Sequence, residues 1–200
     1  MDKRLQVRKS SICKVVMLGD AGSGKTCLLR RFMNDMFDAS TQPTIGAAFG
    51  TKTVMTSNNG PVSLQIWDTA GQERYQALAN LYYRNANAAV VCCDLTDLRS
   101  FERLEYWIKQ LRNAEKGCKI YACGNKADLI WDGIKNRAVT LQDLQIFQTK
   151  VFETSSKMSY NVFQLFQMIA DDLEPVENNS SVSTQVNVNA VEKQNEKKCC

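Results

Sequence analysis

The sequence predicts an α/β fold of three layers, a mostly parallel six-stranded sheet with one antiparallel edge strand and helices on both faces. Three observations predict it. Short apolar runs alternate with stretches of helical periodicity, the pattern that sets parallel strands side by side with crossover helices between them. A glycine-rich loop, G-D-A-G-S-G-K-T, joins the first apolar run to the first helix. One turn signal, Asn58-Asn59-Gly60, separates two β-prone segments and makes that pair antiparallel.

Each element follows in order. Residues 12–18 are apolar apart from Lys14 and form the first strand, and residues 26–36 put Leu28, Leu29 and Phe32 on one helical face. Pro43 breaks regular structure over 38–46, so a flexible loop follows the helix. Residues 51–55 alternate and 62–67 return beside them as the antiparallel pair. The run 88–94 suits a strand buried on both faces, and 100–115 is a helix with Phe101, Leu104, Trp107, Ile108 and Leu111 on one stripe. Residues 119–124 are strand-like, 140–148 helical and 151–154 a short strand. The last helix, 161–173, turns Val162, Leu165, Phe166 and Ile169 to the core. From Glu174 the composition shifts to Asn, Ser, Gln, Val, Glu and Lys without aromatics, which reads as a flexible tail. The expected organisation is an N-terminal extension over 1–11, one domain over 12–173 and a tail over 174–200.

Composition narrows the chemistry. The chain has 200 residues, 44% of them hydrophobic, enough for one packed core. A net charge of +4 from scattered basic residues argues against a nucleic-acid partner. With no histidine, catalytic triads, histidine proton shuttles and most zinc sites are excluded. Of eight cysteines, Cys13, Cys92, Cys93 and Cys123 fall in apolar strand segments and read as buried, reduced thiols of a cytoplasmic protein. The first apolar stretch is too short for a signal peptide or membrane span, so a soluble monomer is expected unless the chain is modified.

The loop Gly19, Asp20, Ala21, Gly22, Ser23, Gly24, Lys25, Thr26, with Cys27 next, follows a strand and opens a helix. In that setting it curls its amide N–H groups around phosphate oxygens, Lys25 adds positive charge, and Thr26 offers a hydroxyl to magnesium. Asp68 ends a strand that faces this loop, where a magnesium-bound water needs a carboxylate acceptor, and Gly71 can give its amide to a terminal phosphate. Asn125-Lys126-Ala127-Asp128 follows another strand, and the Asp128 carboxylate accepts two donors that guanine presents and adenine does not. Ser155, Ser156 and Lys157 come next, offering backbone amides to the guanine oxygen and an alkyl stem beside the base.

These motifs, in this order, resemble the Ras superfamily of small GTPases over residues 12–173, which implies the phosphate-loop NTPase fold with GTP/GDP and magnesium as cofactors. Within it the chain resembles a Rab: Thr44-Ile45-Gly46-Ala47-Ala48-Phe49 looks like the first switch, the stretch from Trp67 to Tyr75 the second, and Leu81-Tyr82-Tyr83-Arg84 the helix after it. The resemblance implies that Gln72 orients the attacking water, with Lys25, Gly71 and the loop amides meeting phosphate charge. Magnesium falls to Thr26 and Thr44, with Asp68 reaching it through water. Phe37 resembles the aromatic that stacks edgewise on guanine, and Phe49, Trp67 and Tyr82 the surface effectors read. The terminal Cys199-Cys200 resembles the Rab double-cysteine ending that carries geranylgeranyl groups, two lipid chains giving stable anchoring where one is marginal.

The partners so implied are an exchange factor, an activating protein, effectors, prenyl-chaperoning escort and dissociation-inhibitor proteins, and the cytoplasmic face of an endomembrane. Residues 44–49 resemble the early-endosomal group, whereas 100–103, 117–121 and 152–157 resemble the autophagy-associated branch, from whose pattern Gln72 and Asn125 depart. Ala21 stands where Ras-like proteins have glycine, with slower stimulated hydrolysis as the consequence. Asn85 also replaces a usual glycine, and the stretch 139–152 is shorter than the pattern. Two rivals stay open: a scaffold that holds GTP constitutively, which Gln72 opposes, and a small-molecule kinase, which Asp128 opposes.

Overall fold

Alternation along the central strand builds a core on both sides of the sheet. In β1 (Ser11–Gly19), Cys13, Val15 and Met17 enter one buried cluster while Val16 and Leu18 enter the other. The computed structural model describes residues 10–57, 60–72 and 76–173, with 76–78 given by backbone alone. The Asn58-Asn59 turn, Glu73 to Tyr75 of the second switch-like motif, residues 1–9 and the tail with Cys199 and Cys200 lie outside the described residues.

β2 (Ala47–Thr56) and β3 (Gly60–Thr69) form the antiparallel pair, in register from Ala47 against Thr69 to Thr56 against Gly60. β1 lies parallel between β3 and β4 (Ala88–Asp94), followed by β5 (Lys119–Asn125) and β6 (Lys150–Glu153), giving the order β2-β3-β1-β4-β5-β6. One antiparallel edge strand on an otherwise parallel six-stranded sheet is the architecture the sequence predicts.

α1 (Lys25–Asn34) and α6 (Val162–Asp172) cover one face, where Leu28, Leu29, Val162, Leu165 and Ile169 are buried and Phe32 stacks on Phe166 at 4.0 Å between ring centroids. α3 (Leu98–Ala114) covers the other with Leu104, Trp107, Ile108 and Leu111, joined by α2 (Gln76–Tyr83), α4 (Ala127–Trp131) and α5 (Leu141–Gln145). The four strand cysteines are buried free thiols, as their apolar settings predict.

Several boundaries differ from expectation. β2 begins at Ala47 rather than residue 51, because the ladder of β3 continues past the weakly β-prone Ala47, Ala48 and Gly50. α1 stops at Asn34, before residue 36, where Asp35 turns to φ 54° and its N–H caps the Arg31 carbonyl. α3 starts earlier, capped by the Asp97 side chain, and α5 opens on a Thr140–Asp143 capping box but ends well before residue 148, whose φ is 53°.

Candidate functional site

The carboxyl ends of the parallel strands open into a cleft of about 570 Å³. The turn after β1 forms one end, where Ala21, Gly22, Gly24, Lys25, Thr26 and Cys27 line it. Gly19, Asp20 and Ser23 support this turn rather than line it: Ser23 is buried and its hydroxyl donates to the Asp20 carbonyl at 2.9 Å. Gly24 adopts φ 90°, and a Cβ there would overlap the Asn125 amide, so only glycine lets the loop pass this close to β5. Lys25 is 5% exposed and its ammonium donates to the Gly19 and Asp20 carbonyls at 2.8 and 2.9 Å. Burial holds its pKa below the ordinary lysine value, against the pull of nearby negative groups including Asp68 and Asp20.

Three oxygen-bearing side chains from separate elements meet beside Lys25. The Thr26 hydroxyl donates to Asp68 Oδ2 at 2.7 Å and lies 2.8 Å from the Thr44 hydroxyl, which itself reaches Asp68 Oδ2 at 3.4 Å. Asp68 is fully buried, and among the described residues its Oδ1 has no hydrogen-bond partner. Burial pushes its carboxyl pKa up. A buried carboxylate oxygen without a donor, beside two hydroxyls, is a set of hard oxygen ligands suited to a small divalent cation, so these residues fit magnesium. Gly71 packs on the same turn, and Gln72 lines the cleft beside it.

At the other end Asn125 is 1% exposed and ties three segments together. Its amide donates to the Ser23 and Gly24 carbonyls at 3.3 and 3.4 Å, and its Oδ1 accepts from Thr154, from the Ser156 hydroxyl and from the Ser156 N–H at 3.1 to 3.3 Å. Asp128 is buried, with Oδ1 accepting from the Ser155 hydroxyl at 2.6 Å. The Lys126 ammonium pairs with Asp94 Oδ2 at 2.7 Å, and Lys157 with Asp132 at 3.1 Å. Phe37, Thr44, Lys126, Asp128, Ser156 and Lys157 line the cleft, while Ser155 stands behind Asp128.

Phe49, Trp67 and Tyr82 lie outside the cleft and touch in series, at 5.0 and 5.9 Å between centroids. Phe49 is 54% exposed and faces Trp67 across the β2–β3 pair, with Trp67 and Tyr82 half-buried.

Sequence reasoning missed Asp94 as the partner of Lys126, α4 as the platform of Asp128, and Arg31, which bonds the Ser156 and Lys157 carbonyls from α1. Asp94 ends a strand beside the Asn125 strand in register, which is the signal that finds it. α4 is too short to show helical periodicity, and Arg31 has no local signal because its partners lie far along the chain.

A glycine-rich turn into a helix, a buried cation beside it and a cleft at the strand ends define a phosphate-loop nucleotide-binding protein. The Ras family model matches residues 14–175. The chain is 47% identical over 165 residues to "GTP-binding protein ypt5" of Schizosaccharomyces pombe, covering 80% of this chain and 77% of that one. It is 42% identical over 199 residues to "Ras-related protein Rab-24" of Dictyostelium discoideum, covering 94% and 96%. Identity to "Ras-related protein RABF2b" of Arabidopsis thaliana is 42% over 178 residues, covering 85% and 86%. The chain belongs to the Ras family, and within it to the Rab small GTPases. As such it binds GTP and GDP with magnesium, hydrolyses GTP, and serves as a GTP-binding switch in vesicle trafficking that works through regulators and effectors.

Proposed function

We propose that the switch is built on the Thr26–Thr44–Asp68 contact and that hydrolysis is slow until a partner protein assists it. The observation that carries this reading is the buried Asp68 carboxylate, whose Oδ2 meets two hydroxyls, one from the phosphate-binding turn and one from the loop before β2, while its Oδ1 has no partner among the described residues. Magnesium, when bound, neutralises charge on the terminal phosphates. Thr26 and Thr44 would hold it with their hydroxyls, and Asp68 would reach it through water. Lys25 holds phosphate charge with the amides of residues 19–24 and Cys27, Gly71 gives its N–H to the γ-phosphate, and Gln72 orients the attacking water. Asp128 reads guanine, the amides of Ser156 and Lys157 take its oxygen, and Phe37 covers the base. Because Thr44 and Gly71 reach the nucleotide from two different loops, the γ-phosphate orders both, and its loss releases them together with the Phe49–Trp67–Tyr82 surface.

No arginine of this chain is assigned to the transition state, so unassisted turnover is on the order of 10⁻⁴ per second, as for Ras-type proteins without a partner. The proposed organisation is an extension over 1–11, the domain over 12–173 and a tail over 174–200 whose Cys199 and Cys200 carry prenyl groups. That anchor places the domain on the cytoplasmic face of an endosomal or autophagic membrane, handled by exchange factor, escort and dissociation-inhibitor proteins. Single-turnover phosphate release tests the catalytic reading: Gln72→Leu is expected to bind GTP like the wild type while losing most of the activating-protein stimulation. Equal stimulated rates in the two proteins would remove Gln72 from the mechanism, and a wild type that an activating protein does not stimulate would favour a constitutive GTP-bound scaffold.

A further inference from the structure

Arg31 grips the guanine end of the cleft from the far side. Its Nε donates to the Ser156 carbonyl at 2.8 Å and its Nη2 to the Lys157 carbonyl at 3.1 Å. The remaining arm, Nη1, donates to the Asp35 carbonyl and carboxylate at 2.7 and 2.8 Å. The Arg31 side chain is 14% exposed; its charge-assisted bond to the Ser156 carbonyl is part-buried, while those to Lys157 and Asp35 lie at the surface.

We propose that Arg31 is a positioning residue for the guanine base: by holding two successive carbonyls of the Ser155–Ser156–Lys157 loop it fixes the direction of the loop's amide N–H groups. The inference rests on the guanine-site reading above. A peptide unit is planar and trans, so a carbonyl held on one edge fixes the N–H on the opposite edge. The Ser156 carbonyl shares its peptide with the Lys157 N–H. The other ties of this loop come from β5, α4 and the loop itself: the Ser155 N–H on the Tyr160 carbonyl, the Ser155 hydroxyl on Asp128, and the Ser156 N–H on Asn125. Arg31 supplies the tie from α1, the helix that begins at the phosphate-binding turn. Through Asp35 it also holds the start of the segment that carries Phe37. Two nucleotide-facing segments therefore depend on one planar fork, a geometry that a lysine's point charge does not reproduce.

The test is dissociation of fluorescent GDP from the full chain in magnesium, for wild type, Arg31→Met, which keeps most of the aliphatic stem, and Arg31→Lys. Losing the charged bonds to the loop is expected to speed GDP release about tenfold in Arg31→Met, with Arg31→Lys between it and wild type. IDP keeps the six-oxygen and lacks the two-amino group, and its release is expected to quicken by the same factor. The diphosphate of 2-aminopurine riboside lacks the six-oxygen, and its affinity by competition is expected to fall less than that of GDP, through the Phe37 segment alone. Unaltered GDP release in Arg31→Met, or equal weakening of all three ligands, overturns the proposal. Should Arg31→Met fail to fold, Arg31→Lys carries the same comparison. The guanine-site reading fails by a separate result: a wild-type chain that binds ADP as tightly as GDP, or an Asp128→Ala variant that separates GDP from IDP as well as the wild type does.

Discussion

A methyl group on Gly71 would lie 2.5 Å from the Ala21 nitrogen and 2.6 Å from the carbonyl of Asp20, both main-chain atoms that cannot swing aside. The end of β3 approaches the phosphate-binding turn this closely only because residue 71 has no side chain. Gly71→Ala is expected to penalise that close arrangement by about 1–3 kcal/mol, the ordinary cost of overpacking. On the proposed role of Gly71, a chain so altered is expected to keep GDP but to convert γ-phosphate binding poorly into ordered loops. Amide hydrogen exchange over residues 38–46 checks it, since GTP is expected to protect these amides in the wild type and to protect them little in the variant. Protection equal to wild type would show that the close approach is not used. Asn125 makes a related point, because this first residue of the guanine motif spends its hydrogen bonds joining the turn after β1 to the Thr154–Ser156 segment. Its side chain shapes the cleft from behind as well as lining it.

At the scale of elements, the C-terminus of α6 is pinned to the sheet by one carboxylate. Asp172 accepts from the Tyr121 hydroxyl at 2.7 Å and from the Lys150 ammonium at 2.7 Å, joining α6 to β5 and β6. Burial raises its pKa, but the hydrogen bonds from Lys150 and Tyr121 and the charges of Lys150 and Lys119 outweigh it and hold the carboxyl below its ordinary value. A depressed carboxylate adds stability that is present above its unfolded pKa and is lost as pH falls through the folded one. Lys150 is half exposed, so solvent screening limits the contribution to roughly 0.5–1 kcal/mol. Urea unfolding of wild type and Asp172→Asn is expected to differ by that amount at pH 7, and the gap to close below about pH 4. A gap that stays constant down to pH 3 would place the effect in packing instead. The elements themselves were legible where burial imposed a pattern: α1, α3 and α6 bury the residues that periodicity assigns, Phe101 only in part, and β1 was legible as an apolar run although its Ile12 is exposed. β2 was misplaced at its start because partner strand β3, not local propensity, decides where the ladder begins, and α4 escaped notice because one turn and a half holds no pattern.

For the whole molecule, the site was legible because its parts are short motifs at strand ends, and a parallel sheet gathers all such ends on one edge. What joins the motifs was not legible, since the Arg31, Asn125 and Asp94 contacts link residues brought together only by folding. The cleft and the aromatic series of Phe49, Trp67 and Tyr82 leave one question of scale, how the domain is held where effectors are. Among the described residues no helix is long and apolar enough to cross a membrane. In the proposed reading attachment falls to prenyl groups on Cys199 and Cys200, since each buried lipid methylene contributes about 0.8 kcal/mol and two prenyl chains exceed the marginal hold of one. The sequence from Glu174 to Lys198 is mostly polar and free of aromatics, a composition that in the proposed reading would let the domain stand off the bilayer while its aromatic surface is engaged. Cell fractionation of the Cys199→Ser, Cys200→Ser double variant is expected to move the chain from membranes to the soluble fraction, with each single variant between. Because both cysteines lie beyond residues 14–175, which the family model matches, GDP affinity of the double variant is expected to equal that of the wild type. A membrane share equal to wild type would move the anchor elsewhere in the chain, and a loss of GDP affinity would mean that the tail serves the fold rather than the bilayer.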